Sequence, residues 1–324
     1  MPGSLTEFEI IKRYFHKATR GAGVVLGVGD DCALLQPPEG QHLAVSIDTL
    51  VSGVHFPDNA DPALIGERAL RVALSDLGAM GAKPLWFTLA LTLPQPDEAW
   101  LKSFSSGLMN AAGLYSCALV GGDTTRGPLA ITVQVHGSVP AGRALRRSGA
   151  SVNDVIFVTG DLGDGAAALA AIKQEFDVGK AARAYLMDRF YRPRPQLSAG
   201  ELIAGVASAA IDVSDGFLAD LGHICTGSRV GAAVELERLP ISAVVASGAT
   251  PEQREAWALA GGDDYQLCFT VPINKVGLVQ TWIDNKLINA TSVGKIIKGA
   301  SVRCYKNGRL YKPKTSGYQH FGNH

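Results

Sequence analysis

Five stretches of this chain set acids where an apolar run ends, beside Gly, Ser or Thr. They hold Asp30 with Asp31, then Asp48, then Asp76, then Asp123, then Asp212 with Asp215. The runs themselves alternate between strand and helix patterns through both halves of the sequence, which implies two α/β domains. In LGVGDDCALL, Gly27 and Gly29 allow a tight turn, and two adjacent carboxylates follow. Adjacent carboxylates repel, so an ordered turn that keeps both ionised favours a cation partner. A solvated surface turn is the plainer alternative, and this stretch alone does not choose between them.

Residues 6–16 read as a helix, with Thr6 as N-cap and Glu9 at the capping-box position. Residues 43–51 read as a strand with Asp48 near its end, and a loop holding His55 follows. Asp61-Pro62 opens a helix to about residue 80 that carries Asp76 in its last turns. A carboxylate there opposes the helix dipole unless a cation offsets it. A strand at 85–93, a helix at 97–112 and a short strand at 118–120 come next, the last ending in Gly121-Gly122-Asp123. Residues 129–139 alternate as a half-buried strand. The second half reads as a strand at 154–159, then a turn through Gly160, Gly163 and Gly165 into an Ala-rich helix capped by Asp164. A strand at 209–213 runs into Asp212-Val213-Ser214-Asp215-Gly216 and a helix. Gly262-Asp263-Asp264 precedes a strand at 266–271, and Asn307-Gly308 marks a hairpin. The domain boundaries expected are 1–149 and 150–324, with no clear repeat between the halves. Trp257 and Trp282 fall inside helical patterns and read as core.

The chain has 324 residues, 47% of them hydrophobic, enough for two ordinary cores. Lys+Arg 30 balance Asp+Glu 30, which gives no electrostatic case for nucleic acid or an anionic membrane. No apolar run has the length of a transmembrane helix. The opening MPGSLTEFEIIKRYF lacks the apolar core of a signal peptide, and the five cysteines include no C-x-x-C pair. A cytoplasmic protein with reduced thiols is expected.

Repeated carboxylates with no Cys/His pairing point to a hard cation such as Mg²⁺, which takes carboxylate, water and phosphate oxygen. The seven His are scattered, with no H-E-x-x-H, so zinc is not expected. Phosphate is the natural co-ligand, and Gly-rich turns can cradle it with backbone N–H groups. No P-loop, complete dinucleotide fingerprint or protein-kinase set is present. Arg143, Arg146 and Arg147 are either a solvated basic linker or a grip on phosphate.

GVGDDCALL, SIDTLVSGVHF, LSDLGAMGAKP, GGDTTRGP, IDVSDG and GGDDYQLCF occur in the order seen in the thiamine-monophosphate kinases. The chain resembles that family over nearly its full length, within the aminoimidazole ribonucleotide synthetase-like superfamily. The resemblance implies a two-domain α/β (α+β) fold whose N-terminal sheets pair between two subunits into a dimeric β-barrel. It implies ATP and thiamine monophosphate as substrates, thiamine diphosphate as product, and Mg²⁺. Asp30, Asp31, Ser46, Ile47 (through its carbonyl), Asp48, Asp76, Asp123, Asp212 and Asp215 fall on the family's metal positions. Gly122, Asp123, Arg147 and Ser214 fall on its ATP positions, and His55, Asp263 and Tyr318 on its substrate side. Asp48, Asp123 and Arg147 are the candidates for catalysis. His55 could instead be a structural loop residue, and Tyr318 a C-terminal aromatic packed on the core.

One stretch departs from the family pattern GGEDYE: Asp263 and Gln266 replace two Glu residues. Among related enzymes, selenophosphate synthetase would need a reactive Cys near an N-terminal Lys. The thiocarbamate dehydratase would need a C-terminal Cys. A non-catalytic nucleotide sensor would not need the whole acid set. The acceptor is already a phosphate oxyanion, with a second pKa near ~6. Charge neutralisation and alignment are therefore needed more than a general base.

Overall fold

The computed structural model describes residues 6–15 and 21–314. Contacts divide the chain into two units, Met1–Leu77 with Ala82–Gly142, and Gly78–Gly81 with Arg143–His324.

The first unit begins with α1 (Glu7–Ile10), which runs straight into a π-helical turn, Ile11–Phe15. The Thr6/Glu9 capping box is formed as the sequence suggests. A small hairpin, β1 (Val24–Leu26) and β2 (Leu34–Leu35), precedes β3 (Gln41–Val51). Next come α2 (Pro62–Ala79), β4 (Lys83–Leu93), α3 (Glu98–Leu114), β5 (Ala118–Arg126) and β6 (Ala130–Pro140). Four of these strands form a sheet in the order β3-β6-β4-β5. Only β4 and β5, joined by α3, run parallel. It is an open sheet with β3 and β5 at its edges; no barrel closes among the described residues of one chain.

Alternation along the strands decides the two faces. Ile131, Val133 and Val135 of β6 are buried, as are Leu70, Ala73, Leu74 and Leu77 on one stripe of α2. Leu77 lies against Gly137 of β6, which sets α2 on that face. A side chain at Gly107 of α3 would stand 1.9 Å from the Ala63 carbonyl of α2, so these helices touch backbone to backbone. On the opposite face Leu43, Val45 and Ile47 of β3 are exposed. Part of that face is covered, where Val24, Ala33 and Leu35 pack on Trp86, Ala118 and Val120.

The second unit holds β7 (Val155–Thr159), α4 (Asp164–Ile172), α5 (Lys180–Tyr191), α6 (Leu197–Ile203) and β8 (Ala209–Val213). It continues with α7 (Phe217–Ser228), β9 (Gly231–Glu235), α8 (Ala243–Gly248), α9 (Pro251–Ala260) and β10 (Gln266–Val271). It closes with α10 (Val276–Asp284), β11 (Ala290–Ile297), β12 (Val302–Lys306) and β13 (Arg309–Tyr311). Its seven strands order as β13-β12-β9-β11-β7-β10-β8, antiparallel except β12 on β9.

Neighbouring residues on the central strands feed opposite cores. Ile156, Val158, Ile211 and Cys268 pack with Phe217, Leu221 and Ile224 of α7. Phe157, Ala210, Leu267 and Phe269 pack with Ile203 of α6 and Val279 of α10. Burial on both faces explains why β8 and β10 lack the apolar–polar alternation of a half-buried strand. The Asn307-Gly308 hairpin joins β12 to β13, both residues at positive φ as a two-residue loop requires. Trp282 packs at the edge of the second core, and Trp257 meets the Phe176 ring edge-on. The five cysteines are unpaired. Among the described residues, no helix is long and apolar enough to cross a membrane.

Candidate functional site

The sequence-predicted acids fall into two groups in the first unit and one in the second. The first group lines a cavity of about 390 Å³ that takes in Asp30, Asp31, Gly122 and Asp123. The β1–β2 turn supplies Asp30 and Asp31, and the Asp31 N–H donates to Asp30 Oδ1 (2.9 Å). The rings of Phe8 and Phe15 also line the cavity. The segment bearing these rings is anchored to the start of α3 by Arg13–Glu98 (2.7 Å) and by Tyr14 Oη on the Glu98 carbonyl.

Gly122 and Asp123 are not in a turn after a short strand. β5 runs on through them to Arg126, with Gly122 opposite Leu89 and Asp123 opposite Ala90. Parallel pairing with β4 pulls the GGDTT stretch into the sheet. The approach is close: a side chain at Gly122 would stand 1.9 Å from the Leu89 carbonyl oxygen. Only glycine lets Asp123 sit at this sheet edge.

The second group joins β3 to α2. Ser46 and Asp48 are two apart on β3 and share its helix-facing side. The Ser46 hydroxyl donates to Asp76 in a short hydrogen bond. Burial, then the negative charge of Asp76, pushes the Asp48 carboxyl up to about 6. Two acids crowded in a half-buried place with oxygen donors only suit a hard cation. The Ile47 side chain points to the exposed face; its carbonyl lies on an edge strand bonded to β6 along one side. In the loop after β3, His55 Nδ1 accepts from the Val51 N–H (3.0 Å). That bond places the ring proton on Nε2, a donor suited to an anion.

The third group sits where β8 ends. Asp212 is buried, and Ser214 and Asp215 follow in the turn into α7. Asp263 joins them: its N–H donates to the Ser214 carbonyl (2.9 Å), and the Tyr265 N–H to Val213 (2.8 Å). Tyr265 Oη also donates to Asp263 Oδ1 (2.7 Å). Asp263 and Tyr265 both hold left-handed φ values, +67° and +50°, which non-glycine residues keep only where surroundings enforce them. The backbone of Arg147 lies apart from this turn. Its carbonyl faces Ser228 at the far end of α7, and the Arg146 carbonyl accepts from Ala210 near the start of β8. Tyr318 lies outside the described residues.

Two expectations about the Gly-rich turns are corrected. Asp164 does not cap its helix; it is the first helical residue, after Gly163. Its carboxylate is buried and accepts from Tyr185 Oη (2.6 Å), Ser242 Oγ (2.6 Å) and Arg189 Nε (3.2 Å). The turns leading into α4 and α7 also do not offer these N–H groups to a phosphate. Asp264, fully buried, takes the N–H groups of Gly163 (2.7 Å) and Gly165 (3.1 Å). Asp220 takes those of Ser214, Asp215 and Gly216. A backbone donor turned onto an internal carboxylate cannot also serve a ligand.

Asp220 and Asp264 are site-building residues that the sequence reading passed over. The signal at Asp220 is an acid on the stripe Phe217, Leu221, Ile224, a place where α7 buries its apolar side. Burial and the nearby Asp215 push Asp220 up to about 7, against the pull of three N–H donors. Gln266 is equally internal, its amide oxygen accepting from Arg189 (2.9 Å) and its nitrogen donating to Thr159 Oγ1 (2.9 Å). Among the described residues no three His, Cys, Asp or Glu side chains converge on one ready-made ion position.

Residues 29–139 match the family described as "AIR synthase related protein, N-terminal domain", and residues 151–307 its C-terminal domain. The thiamine-monophosphate kinase of Escherichia coli (strain K12) is 47% identical over 318 residues, 97% of this chain and 98% of that protein. The crystal structure of thiamine-monophosphate kinase from Stenotrophomonas maltophilia K279a superposes with a TM-score of 0.86 at 41% identity, over 95% of this chain and 99% of that one. AaThiL complexed with AMPPCP and TMP gives 0.77 at 30% identity, over 97% of each chain.

Proposed function

Because the chain belongs to the thiamine-monophosphate kinase family, we propose that it transfers the terminal phosphoryl group of ATP to the phosphate of thiamine monophosphate, yielding ADP and thiamine diphosphate. The observation that carries this reading is the full-length likeness to AaThiL, a protein complexed with AMPPCP and TMP. The acceptor oxygen attacks the terminal phosphorus, and the bond to the bridging oxygen of ADP breaks. The acceptor is already ionised near neutral pH, which fits a site rich in acids and without an evident base.

The oxygen-only donor sets, Asp30, Asp31 and Asp123 on the cavity, Ser46, Asp48 and Asp76 at β3 and α2, and Asp212 and Asp215 at β8, fit Mg²⁺. Bound there, Mg²⁺ would neutralise charge on the transferring phosphates. The Ile47 carbonyl is a further oxygen on β3. Gly122 leaves room beside Asp123 for the nucleotide. Ser214 is a hydroxyl donor and Arg147 a guanidinium for its phosphates. His55 donates from Nε2 to the substrate phosphate, and Asp263 and Tyr318 read the organic part of thiamine.

The protein works as a homodimer in the cytoplasm. The support for a dimer is the uncovered apolar row Leu43, Val45, Ile47 on an open four-stranded sheet, a face that a second copy's sheet would cover. ADP release, followed on mixing the protein with ATP, Mg²⁺ and thiamine monophosphate, tests the reaction. Release at the same rate without thiamine monophosphate would refute the kinase reading.

A further inference from the structure

Asp220 is the fourth residue of α7, yet its carboxylate faces back past the helix start. One oxygen, Oδ2, accepts from the N–H groups of Ser214 (3.1 Å), Asp215 (3.1 Å) and Gly216 (3.2 Å). The Asp220 N–H in turn donates to the Gly216 carbonyl (3.0 Å), so turn and helix are clasped from both sides. Three consecutive donors on one oxygen fix the direction of the intervening peptides. The side chains of Ser214 and Asp215 are then held in one orientation.

The clasped turn is itself the support of a second segment. The Ser214 carbonyl accepts from the Asp263 N–H (2.9 Å). A side chain on Gly262 would lie 2.4 Å from that same carbonyl, and one on Gly216 2.9 Å from the Ala260 backbone. The two backbones are therefore in direct contact, with no side chain between them to absorb a shift. Asp263 keeps its left-handed φ of +67° next to this contact.

We propose that Asp220 is a positioning residue for the phosphoryl-transfer site, fixing the Ser214–Gly216 turn and, through the Ser214 carbonyl, the placement of Asp263. It touches neither substrate. Its three accepted hydrogen bonds turn the N–H groups of this turn inward, and the Ser214 and Gly216 carbonyls are engaged as well, which leaves the Ser214 hydroxyl and the Asp215 carboxylate as the oxygens the turn can offer. The turn thus serves cations and their phosphates through oxygen, and not as an anion cradle. This assignment rests on the function proposed above for Ser214, Asp215 and Asp263.

Two substitutions of similar size separate the roles. Asp220→Asn keeps an oxygen acceptor in the same place, and Asp220→Leu removes it while suiting the apolar stripe of α7. Amide hydrogen exchange on the full chain is expected to be slow at residues 214–216 in the wild type and close to that in Asp220→Asn. In Asp220→Leu these three amides should exchange at least about tenfold faster, as expected when the Asp220 acceptor is lost. The β10 amides should stay protected in every variant, which reports that the unit is folded. With ATP and thiamine monophosphate, kcat/KM for both substrates should fall on the order of 10²-fold in Asp220→Leu, the scale of a small misplacement, and recover most of that in Asp220→Asn. Fast exchange at 214–216 in the wild type overturns the proposal with no variant needed. So does unchanged exchange in Asp220→Leu, or lost protection with kcat/KM intact. A wild type that does not turn over thiamine monophosphate at all would instead refute the assigned reaction, and the exchange results would then judge the clasp by itself.

Discussion

At the scale of single residues, like charges are brought together and then given something to hold. Asp48 and Asp76 approach across β3 and α2, and Asp48 is pushed up to about 6 by burial and by its neighbour. Asp123 stands exposed on the cavity wall with Asp30 and Asp31. Asp48→Asn and Asp123→Asn should each lower turnover by orders of magnitude with the fold intact, because each removes one negative charge from a proposed ion site. Turnover near the wild-type level at moderate Mg²⁺ in either variant would refute its assignment. Asp264 is a different case, an internal carboxylate. Burial outweighs its two N–H donors and pushes it up to about 8, against about 3.9 for an unfolded Asp. Between those values the folded chain keeps a proton that the unfolded chain has lost. Its contribution to stability is therefore complete below about 4 and fades as pH climbs to about 8. Thermal melts of wild type and Asp264→Asn should show the wild type losing ground to the variant between pH 5 and pH 9. A gap that stays constant over that range would show that Asp264 is ionised in the fold.

At the scale of elements, β3 carries two jobs on its two sides. Its even positions, Ser46 and Asp48, face α2; its odd positions, Leu43, Val45 and Ile47, form an exposed apolar row. A strand of period two cannot serve one job without presenting the other. If the odd row meets a second copy, Val45→Lys with Ile47→Lys should convert a dimer to a monomer by light scattering, leaving the Ser46–Asp76 contact on the other side undisturbed. A wild-type monomer at micromolar concentration would remove the dimer reading outright. The turns before α4 and α7 follow a second rule. Each has its backbone donors occupied by an acid of its own unit, Asp264 for one and Asp220 for the other. Internal hydrogen bonds, and not a ligand, hold these turns.

At the scale of the whole molecule, the question is how one end of thiamine monophosphate is told from the other. Phosphate-side groups serve ATP as well, so selection for thiamine has to come from residues that meet its organic part. Asp263, held between Ser214 and Tyr265, is the described residue proposed for that task. Asp263→Ala should raise KM for thiamine monophosphate several-fold more than KM for ATP, and Asp263→Glu should be tolerated. Parallel changes in both constants would make this segment a support of the fold alone.

Much of this protein was legible in its residues taken in order. Strand and helix periods located most elements, since apolar spacing follows local geometry. The order of the acidic motifs carried the family, and with it the candidate residues. Three things were not legible. GGDTT reads as a turn by composition, but pairing with β4 draws it into a strand, and pairing is a contact between distant parts of the chain. Asp164 reads as a cap, but Tyr185, Ser242 and Arg189, all far along the sequence, claim its carboxylate. Gly-rich turns read as phosphate cradles, but which way a peptide N–H points depends on the acceptor that reaches it. Here those acceptors are Asp220 and Asp264, and only folding brings Asp264 to Gly163 across 101 positions. Local sequence determined the elements and the supply of oxygen ligands; the tertiary structure decided which hydrogen bonds were already taken.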